Sequence, residues 1–285
     1  MTGVVVSPGF VVSDGGYNFN ADTPIIGYDN LLPASTVEAT TEDDGYPALN
    51  LANPITHLRW RSAAGSPSSE EYITVTFNPN VSTPLIDYLA IARHNLGSSQ
   101  AIVSVEAAES EVGSPGDWTE IVSERLLPDD GAAIFRFDKS AYFAVRLRIQ
   151  ESQAAEPATP YIGVMYVGEL LLLQRRIHTG HTPINYGRRQ NIVNNRTING
   201  DFAGRVILSR ALETQVSLKN LTPDWYRQYM EPFLLDAQNN PFFFAWRPGT
   251  YPNEAGFCWL ADDPQPVNQL SNGMMQIDLS LEGIL

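Results

Sequence analysis

His178 and His181 have the residue type and the spacing for metal chemistry, because two imidazoles three positions apart can bind one cation. Arg175 and Arg176 precede the pair and would repel a cation, and no cysteine or carboxylate follows at short range to complete the ligand set. We therefore predict no metal site and interpret this segment as an exposed linker or an interface. His94 follows a predicted strand, and we expect it at the rim of that strand.

Acidic side chains could also hold a cation, and the chain has 32 aspartates and glutamates. Two clusters, at residues 42–44 and 129–131, offer the hard oxygen ligands that calcium prefers. Neither cluster has the alternating spacing of a dedicated calcium loop, so solvated acidic turns are the favoured interpretation. A carboxylate pair for glycoside cleavage is not recognisable at this level, because the fold brings such residues together.

Nucleophile, phosphate and zinc signatures are missing from the sequence. It contains no G-x-S-x-G, H-E-x-x-H or C-x-x-C motif and no Walker loop. We therefore predict a protein that is not an enzyme, with no catalytic residue and no cofactor. A glycan-degrading activity stays open as a third functional hypothesis.

Trp60 between Arg59 and Arg61 is the best candidate for a ligand site. An aromatic face can stack on a sugar ring, and the flanking guanidinium groups can donate hydrogen bonds to its hydroxyls. The alternative is that Trp60 anchors the core while the two arginines lie on the surface, and this alternative is favoured.

Charge divides the chain into two parts. Residues 1–174 contain 22 acidic against 8 basic residues, and residues 175–285 contain 10 of each, so the whole net charge of −14 lies in the first part. This break predicts a domain boundary near residue 174. The acidity argues against wrapping bare nucleic acid, whose phosphates would be repelled. We expect no signal peptide, because the N-terminus lacks a charged n-region and a cleavage site. We expect no membrane span, because no apolar run approaches the roughly 18 residues required.

Short apolar segments separated by Gly/Pro-rich turns predict a mostly β protein. Residues 1–24 are interpreted as an N-terminal arm that can join the C-terminal module, and residues 25–174 as an antiparallel sandwich. Residues 175–285 form a second module, which opens with the basic connecting segment 175–200. One helix is expected at 223–237, with Thr222 as its N-cap.

Aromatic strands near the C-terminus are expected in the core or at an interface: Phe242, Phe244, Trp246 and Trp259. The lone Cys258 lies among them and is interpreted as a small buried apolar residue. The final strand contains Leu279 and Leu281, which we expect in the core and at or beside a subunit contact. That strand needs a pairing partner, since an unpaired edge is a template for association.

Five arginines of the second module have two interpretations: Arg175, Arg176, Arg188, Arg189 and Arg196. They could line a tube through which DNA passes, or they could pair with acidic surfaces of neighbouring subunits. The second interpretation is favoured, because the first module has the opposite charge.

Residues 25–173 resemble the discoidin, or coagulation-factor type C, family, whose fold is a galactose-binding-like jelly roll. The resemblance is carried by YPALNLANPITHLRWRS at 46–62, YITVTF at 72–77, FAVRLRI at 143–149 and VGELLL at 167–172. The cysteine pair that flanks the fold in the family is absent. Ligands of the family are held by variable loops, so the resemblance implies a fold rather than a particular ligand.

Residues 196–285 resemble distal and minor tail proteins of long-tailed bacteriophages. The shared order is a strand pair, the helix, an aromatic F-x-W-x-P strand, a tryptophan-containing strand and a final strand that ends in LSLEG. The resemblance implies a tail-tube-like β-barrel with one flanking helix. In such proteins, strand pairing between subunits closes the barrel into a ring.

These observations predict a structural component of the phage tail tip or baseplate, in a phage or a phage-like gene-transfer particle. The expected partners are copies of the chain in a ring of six, the tail tube and the tip or hub proteins, with DNA only in transit through the lumen. The expected location is the virion tail. The alternative hypothesis is a carbohydrate-binding module that recognises host-surface glycan.

Overall fold

The computed structural model describes residues 4–6, 19–63, 70–78, 83–111, 117–152, 158–177, 180–269 and 273–284. These residues form three stacked β-sheets and a helical segment that covers the third sheet. A β-sandwich with one helical segment is therefore confirmed as the fold class.

The outer sheet contains five antiparallel strands. In spatial order they are β3 (Thr36–Ala39), β5 (Glu71–Thr76), β10 (Ala144–Ser152), β7 (Ala101–Ala108) and β8 (Thr119–Leu126). Burial alternates along β5, so one face of this sheet points to the core and the other to solvent.

The middle sheet also contains five strands. In spatial order they are β1 (Val4–Val6), β9 (Ala133–Ala141), β6 (Leu85–His94), β11 (Tyr161–Gly168) and β4 (Trp60–Arg61). The β1 strand of the predicted N-terminal arm pairs in parallel with β9, and the other pairs are antiparallel. Nearly every residue of β6 and β11 is buried, because other sheets cover both faces of this one.

The third sheet contains eight antiparallel strands. Seven follow one spatial path: β12 (Leu171–Leu172), β2 (Ile25–Gly27), β15 (Phe242–Ala245), β16 (Ala255–Leu260), β18 (Met275–Gly283), β14 (Phe202–Leu221) and β13 (Arg189–Arg196). The eighth, β17 (Val267–Asn268), pairs with β18. Both β2 and β12 pair within this sheet, although their residues fall in the predicted first module.

The predicted closed barrel is not observed in the described part of the chain. The third sheet is open, with β12 at one end and β13 at the other. The helical segment packs on one face of this sheet and buries Trp225 and Phe233 there with Leu279. The expected partner for β18 is found within the chain, since β14 and β16 pair with its two edges.

The helical segment begins at the predicted residue but has three parts. They are an α-helical turn at Pro223–Trp225, a π-helical turn at Tyr226–Met230 and an α-helix at Glu231–Ala237. Pro232 cannot donate an amide hydrogen bond, which accounts for the irregular turn before it. Thr222 occupies the N-cap position, but its hydroxyl accepts a hydrogen bond from Gln174 Nε2 at 2.9 Å instead of capping the helix.

Short 3₁₀ turns lie at Leu32–Ala34, Ala48–Ala52 and Ile184–Tyr186.

Three apolar cores separate the layers. The first lies between the outer and middle sheets and includes Trp60 and Phe135. The second lies between the middle and third sheets and includes Tyr166 and Phe243. The third lies between the third sheet and the helical segment and includes Cys258, which is fully buried as a free thiol.

Candidate functional site

A two-stranded hairpin extends beyond the body of the third sheet. It consists of β13 and residues 202–211 of β14, joined at 197–201, and we call it the projecting hairpin. The turn is closed by a hydrogen bond from Thr197 N to Asp201 O at 2.8 Å, and Gly200 adopts a φ of +91° that glycine allows without strain. Only residues from Leu212 onward in β14 pair with β18. The hairpin therefore stands outside the three cores.

The projecting hairpin exposes a row of large apolar side chains to solvent. Phe202 is 68% exposed and Leu208 60% exposed, and Ile198 at the turn is fully exposed. Val193 and Val206, which are cross-strand neighbours, are also exposed. An apolar surface of this kind on an open strand pair is characteristic of an interaction site.

Arginines add positive charge to the same hairpin. Residues 188–211 contain five arginines and one aspartate. Of the predicted interface arginines, Arg188, Arg189 and Arg196 are exposed here, and Arg189 forms an ion pair with Glu282. Arg175 and Arg176 are exposed elsewhere, and Arg175 Nε donates to Asn220 O at 3.1 Å. Three of the five arginines therefore lie at the projecting hairpin, and the other two lie outside it.

Leu279 and Leu281 lie in the third core, and the subunit contact expected at or beside their strand stays a prediction. Both side chains are buried under the helical segment, because β18 directs them into the third core. Phe242 and Phe244 are buried as well. The two tryptophans of the aromatic strands, Trp246 and Trp259, are half-buried.

A second region, the arginine groove, lies at one end of the sandwich. It has a volume of about 520 Å³ and is lined by Asp43, Arg59, Arg61, Ser62, Ala63, Asn95, Ala158, Thr159 and Tyr161. The Arg59 guanidinium lies 4.8 Å from the ring centroid of Tyr161 and 5.1 Å from that of Tyr46. Arg61 packs 4.1 Å from the same Tyr46 ring and pairs with Asp43.

Trp60 does not belong to the arginine groove, which corrects the prediction that it stacks on a ligand. Its side chain is 0% exposed in the first core, and its indole N–H donates to Thr41 O at 2.9 Å. The favoured alternative, a core anchor between two surface arginines, describes the structure. Sequence reasoning missed Asn95 and Tyr161 because they are distant from Arg59 along the chain.

A third region, the inter-sheet pocket, lies where the middle sheet, the third sheet and the helical segment meet. It has a volume of about 430 Å³, and its lining includes Tyr28, Asp29, Asp87, Glu169, Trp225 and Tyr229. Leu170 N donates to Asp87 Oδ1 at 2.7 Å, and Glu169 N donates to Asp29 Oδ2 at 3.1 Å. A Cβ at Gly168 would lie 2.3 Å from Asp29 O, so a glycine is needed for this close approach.

Two carboxylates of the inter-sheet pocket, those of Asp87 and Asp29, are desolvated. Asp87 is 8% exposed, and burial raises its pKa to about 7 although the Arg136 charge acts in the opposite direction. Burial also raises the pKa of Asp29, and the nearby Glu169 carboxylate adds to this effect. Lys139 forms an ion pair with Glu169. No sequence motif marked Asp29, Asp87, Lys139 and Glu169, because they come from four separate parts of the chain.

Two of the histidines that the structure describes contact backbone groups. His94 is buried rather than at a rim: Leu96 N donates to His94 Nδ1 at 3.2 Å, and Nε2 lies 2.8 Å from Gly131 O. Burial lowers the pKa of His94 to about 4. His181 Nδ1 lies 2.9 Å from Gln215 O, whereas His178 lies outside the described residues. Within the described ranges, no group of three histidine, cysteine or acidic side chains is placed to hold a metal ion.

Carboxylates of the two acidic clusters accept hydrogen bonds from backbone N–H groups. Asp129 Oδ1 accepts from Gly131 N at 2.9 Å, and Asp130 Oδ1 accepts from Ser98 N at 2.8 Å. Glu42 Oε1 accepts from Ala48 N at 2.8 Å. These contacts agree with the interpretation of the clusters as acidic turns.

No family model and no curated protein matches the sequence. Solved structures with similarity to about half of the chain include a chitosan-binding module of a Paenibacillus sp. IK-5 chitosanase/glucanase, at 16% identity and a TM-score of 0.40, covering 48% of this chain and 97% of that one. A second module of that enzyme, in complex with chitotriose, matches at 15% identity and a TM-score of 0.39, with coverage of 49% and 99%. A Clostridium perfringens module in complex with GalNAc-β-1,3-galactose matches at 13% identity and a TM-score of 0.39, with the same coverage.

These three neighbours are carbohydrate-binding modules of the jelly-roll type, which is the class named by the alternative hypothesis, and none of them is a tail protein. At such identities and TM-scores the similarity does not transfer a ligand to this chain. Within the described part of the chain, no helix has the length and apolarity to span a membrane.

Proposed function

We propose that the protein is a structural subunit of a ring at the distal end of a phage tail, in a phage or a phage-like particle. The observation that carries this proposal is the projecting hairpin, whose exposed Phe202, Val206 and Leu208 lie outside all three cores. A two-stranded hairpin is marginally stable alone in water, and contact with another protein surface would stabilise it. The proposed role involves assembly and no catalytic turnover.

Charge supports a second copy of the chain as the partner of the projecting hairpin. The hairpin has four more basic than acidic residues in its 188–211 segment, whereas residues 1–174 have a net charge of −14. Opposite charges on the two surfaces would orient neighbouring subunits and suppress wrong contacts. The free edges of the hairpin also allow strand pairing with a neighbour.

The assignment to a tail rests on the resemblance of residues 196–285 to distal tail proteins. The strands of that resemblance, β14, β15, β16 and β18, lie in one sheet under the helical segment, in support of a single module. We propose that this sheet, open in one chain, is extended by the hairpin of a neighbouring subunit in a ring of six. The outer and middle sheets would then face away from the tail axis, in the virion tail.

The test is the mass of the purified protein by light scattering at increasing concentration, with electron microscopy of any particles. We expect rings of six for the wild type and a monomer for a Phe202→Ser, Leu208→Ser variant, since both side chains are exposed and their loss leaves the cores intact. Leu126→Ser is the matched control, because Leu126 is 54% exposed on the outer sheet. A wild type that stays monomeric at every concentration would contradict the proposal.

Glycan binding is the second candidate function, and the arginine groove is the observation that favours it. Arg59 stacked between Tyr46 and Tyr161, with Asn95 beside it, combines aromatic faces with hydrogen-bond donors. We expect binding to host-surface polysaccharide, measured by calorimetry, to weaken at least tenfold in Arg59→Ala. Arg227→Ala, an exposed arginine of the helical segment, should bind as the wild type does. Equal affinity of Arg59→Ala and the wild type would overturn this assignment.

A further inference from the structure

The inter-sheet pocket has the chemistry of a binding site that neither the ring nor the arginine groove uses. Its walls come from distant parts of the chain: Asp29 follows β2, Asp87 lies on β6, Glu169 precedes β12, and Trp225 and Tyr229 belong to the helical segment. Its volume of about 430 Å³ lies within the usual range for small-molecule sites.

Charge is unbalanced within this pocket. Three of its lining residues are acids, whereas the lining has one cation, Lys139, which is paired with Glu169. The buried Arg136, which is not part of the lining, acts electrostatically on Asp87, so the acids exceed these two cations by one. Asp87 and Asp29 both line the pocket, and burial disfavours their ionised forms. A positively charged ligand would favour the ionised carboxylates and would be held by them.

Aromatic side chains also line the pocket. The rings of Trp225 and Tyr229 lie 6.0 Å apart at an angle of 34°, and Tyr229 is 39% exposed. Tyr28 lies on the same lining, packed edge-on against Phe233 at 5.3 Å. Aromatic faces attract cations and also pack on the C–H face of a ring. Carboxylates and aromatic faces in one pocket are a combination that suits an organic ammonium group.

We propose that the inter-sheet pocket binds a protonated or quaternary amine of about monosaccharide size, through Asp87, Asp29 and the face of Tyr229. The ammonium group lies between the carboxylates, and the remainder of the ligand packs on the tyrosine. An amino sugar and a choline-like group share this chemistry. The site is independent of ring assembly, because its described lining does not include the projecting hairpin.

The test is calorimetric titration of the full chain at neutral pH with glucosamine, choline and N-acetylglucosamine. We expect at least one of the two cations to bind at least tenfold more tightly than N-acetylglucosamine, which has the sugar ring without the charge. Binding of glucosamine alone identifies an amino sugar, and binding of choline identifies a quaternary amine. Absence of binding by both cations, or equal binding of the neutral sugar, would overturn the proposal.

Variants locate the binding in the pocket. Asp87→Asn and Tyr229→Ala should each weaken the binding of the cation at least tenfold, whereas Glu120→Gln, which removes an exposed acid from the outer sheet, should leave it unchanged. Tyr229 lies on the surface, so its variant decides the question if Asp87→Asn does not fold. Unchanged affinity in Tyr229→Ala would place any binding outside this pocket and contradict the assignment.

Discussion

The ring of Tyr166 in the middle sheet lies 5.4 Å from the ring of Phe243 in the third sheet, in an edge-to-face arrangement. Phe257 joins the pair, with its centroid 4.9 Å from that of Phe243. The Tyr166 hydroxyl donates to Pro241 O at 2.9 Å. Residues 25–174 and residues 175–285, which the sequence divides into two modules, therefore share a core.

We predict that Phe243→Ala destabilises both parts of the chain together. Removal of a fully buried phenylalanine leaves a cavity between two sheets and lowers the free energy of unfolding by about 3–5 kcal/mol. Urea unfolding followed by tryptophan fluorescence and by circular dichroism should show one shifted transition in both signals. Tyr166→Phe is the matched mild change, with an expected loss of about 1 kcal/mol for the hydrogen bond to Pro241. Two separate transitions would show that the parts unfold independently.

The Asp87 carboxyl makes stability fall as pH rises. Its pKa is about 7 in the folded chain against an ordinary value of 3.8, so the folded state holds the proton more tightly between these pH values. Each unit of difference corresponds to about 1.4 kcal/mol as an upper limit. Asp87→Asn should therefore gain stability relative to the wild type between pH 4 and pH 8, measured by urea unfolding at both. If the free energy of unfolding of the two proteins changes equally between pH 4 and pH 8, Asp87 does not cause the pH dependence.

His94 acts in the opposite direction over an overlapping range. Its pKa is about 4 in the folded chain against an ordinary value of 6.5, so the unfolded chain binds the proton more readily between these values. The wild type should lose stability relative to His94→Gln as pH falls from 6.5 to 4. The same urea titrations, compared at pH 4.5 and pH 7.5, measure this difference. A difference between the two proteins that is independent of pH would contradict the prediction.

Substitutions of the neighbouring residues Trp60 and Arg59 should differ in their effect on stability. Trp60→Ala removes a fully buried indole from the first core and should lower the free energy of unfolding by about 3–5 kcal/mol. Arg59→Ala should change it by about 0.5 kcal/mol or less, because the guanidinium packs on the surface of the sandwich. Thermal unfolding of both variants tests this difference. A larger loss of unfolding free energy in Arg59→Ala than in Trp60→Ala would contradict the assignment of Trp60 to the core and of Arg59 to the surface.

Local patterns predicted the β-rich class, the helical segment at 223–237 and the burial of Cys258, and they placed Phe242 and Phe244 in the core or at an interface. These features depend on residue alternation and on short-range turn and capping preferences, which neighbouring residues reveal. The same patterns did not show that β18, which contains Leu279 and Leu281, pairs with strands of its own chain. A strand has the same alternation whether its partner belongs to its own chain or to another.

The sequence by itself determined the strand content, the charge division near residue 174 and the absence of common catalytic motifs. Only the tertiary structure decided that a third sheet packs on the sandwich, that Trp60 is internal and that Asp29 and Asp87 meet Tyr229 in one pocket. The physical reason is that such contacts join residues far apart in sequence. Their formation therefore depends on how whole sheets stack. The projecting hairpin became visible for the same reason, because exposure is known only once every other apolar surface has been covered.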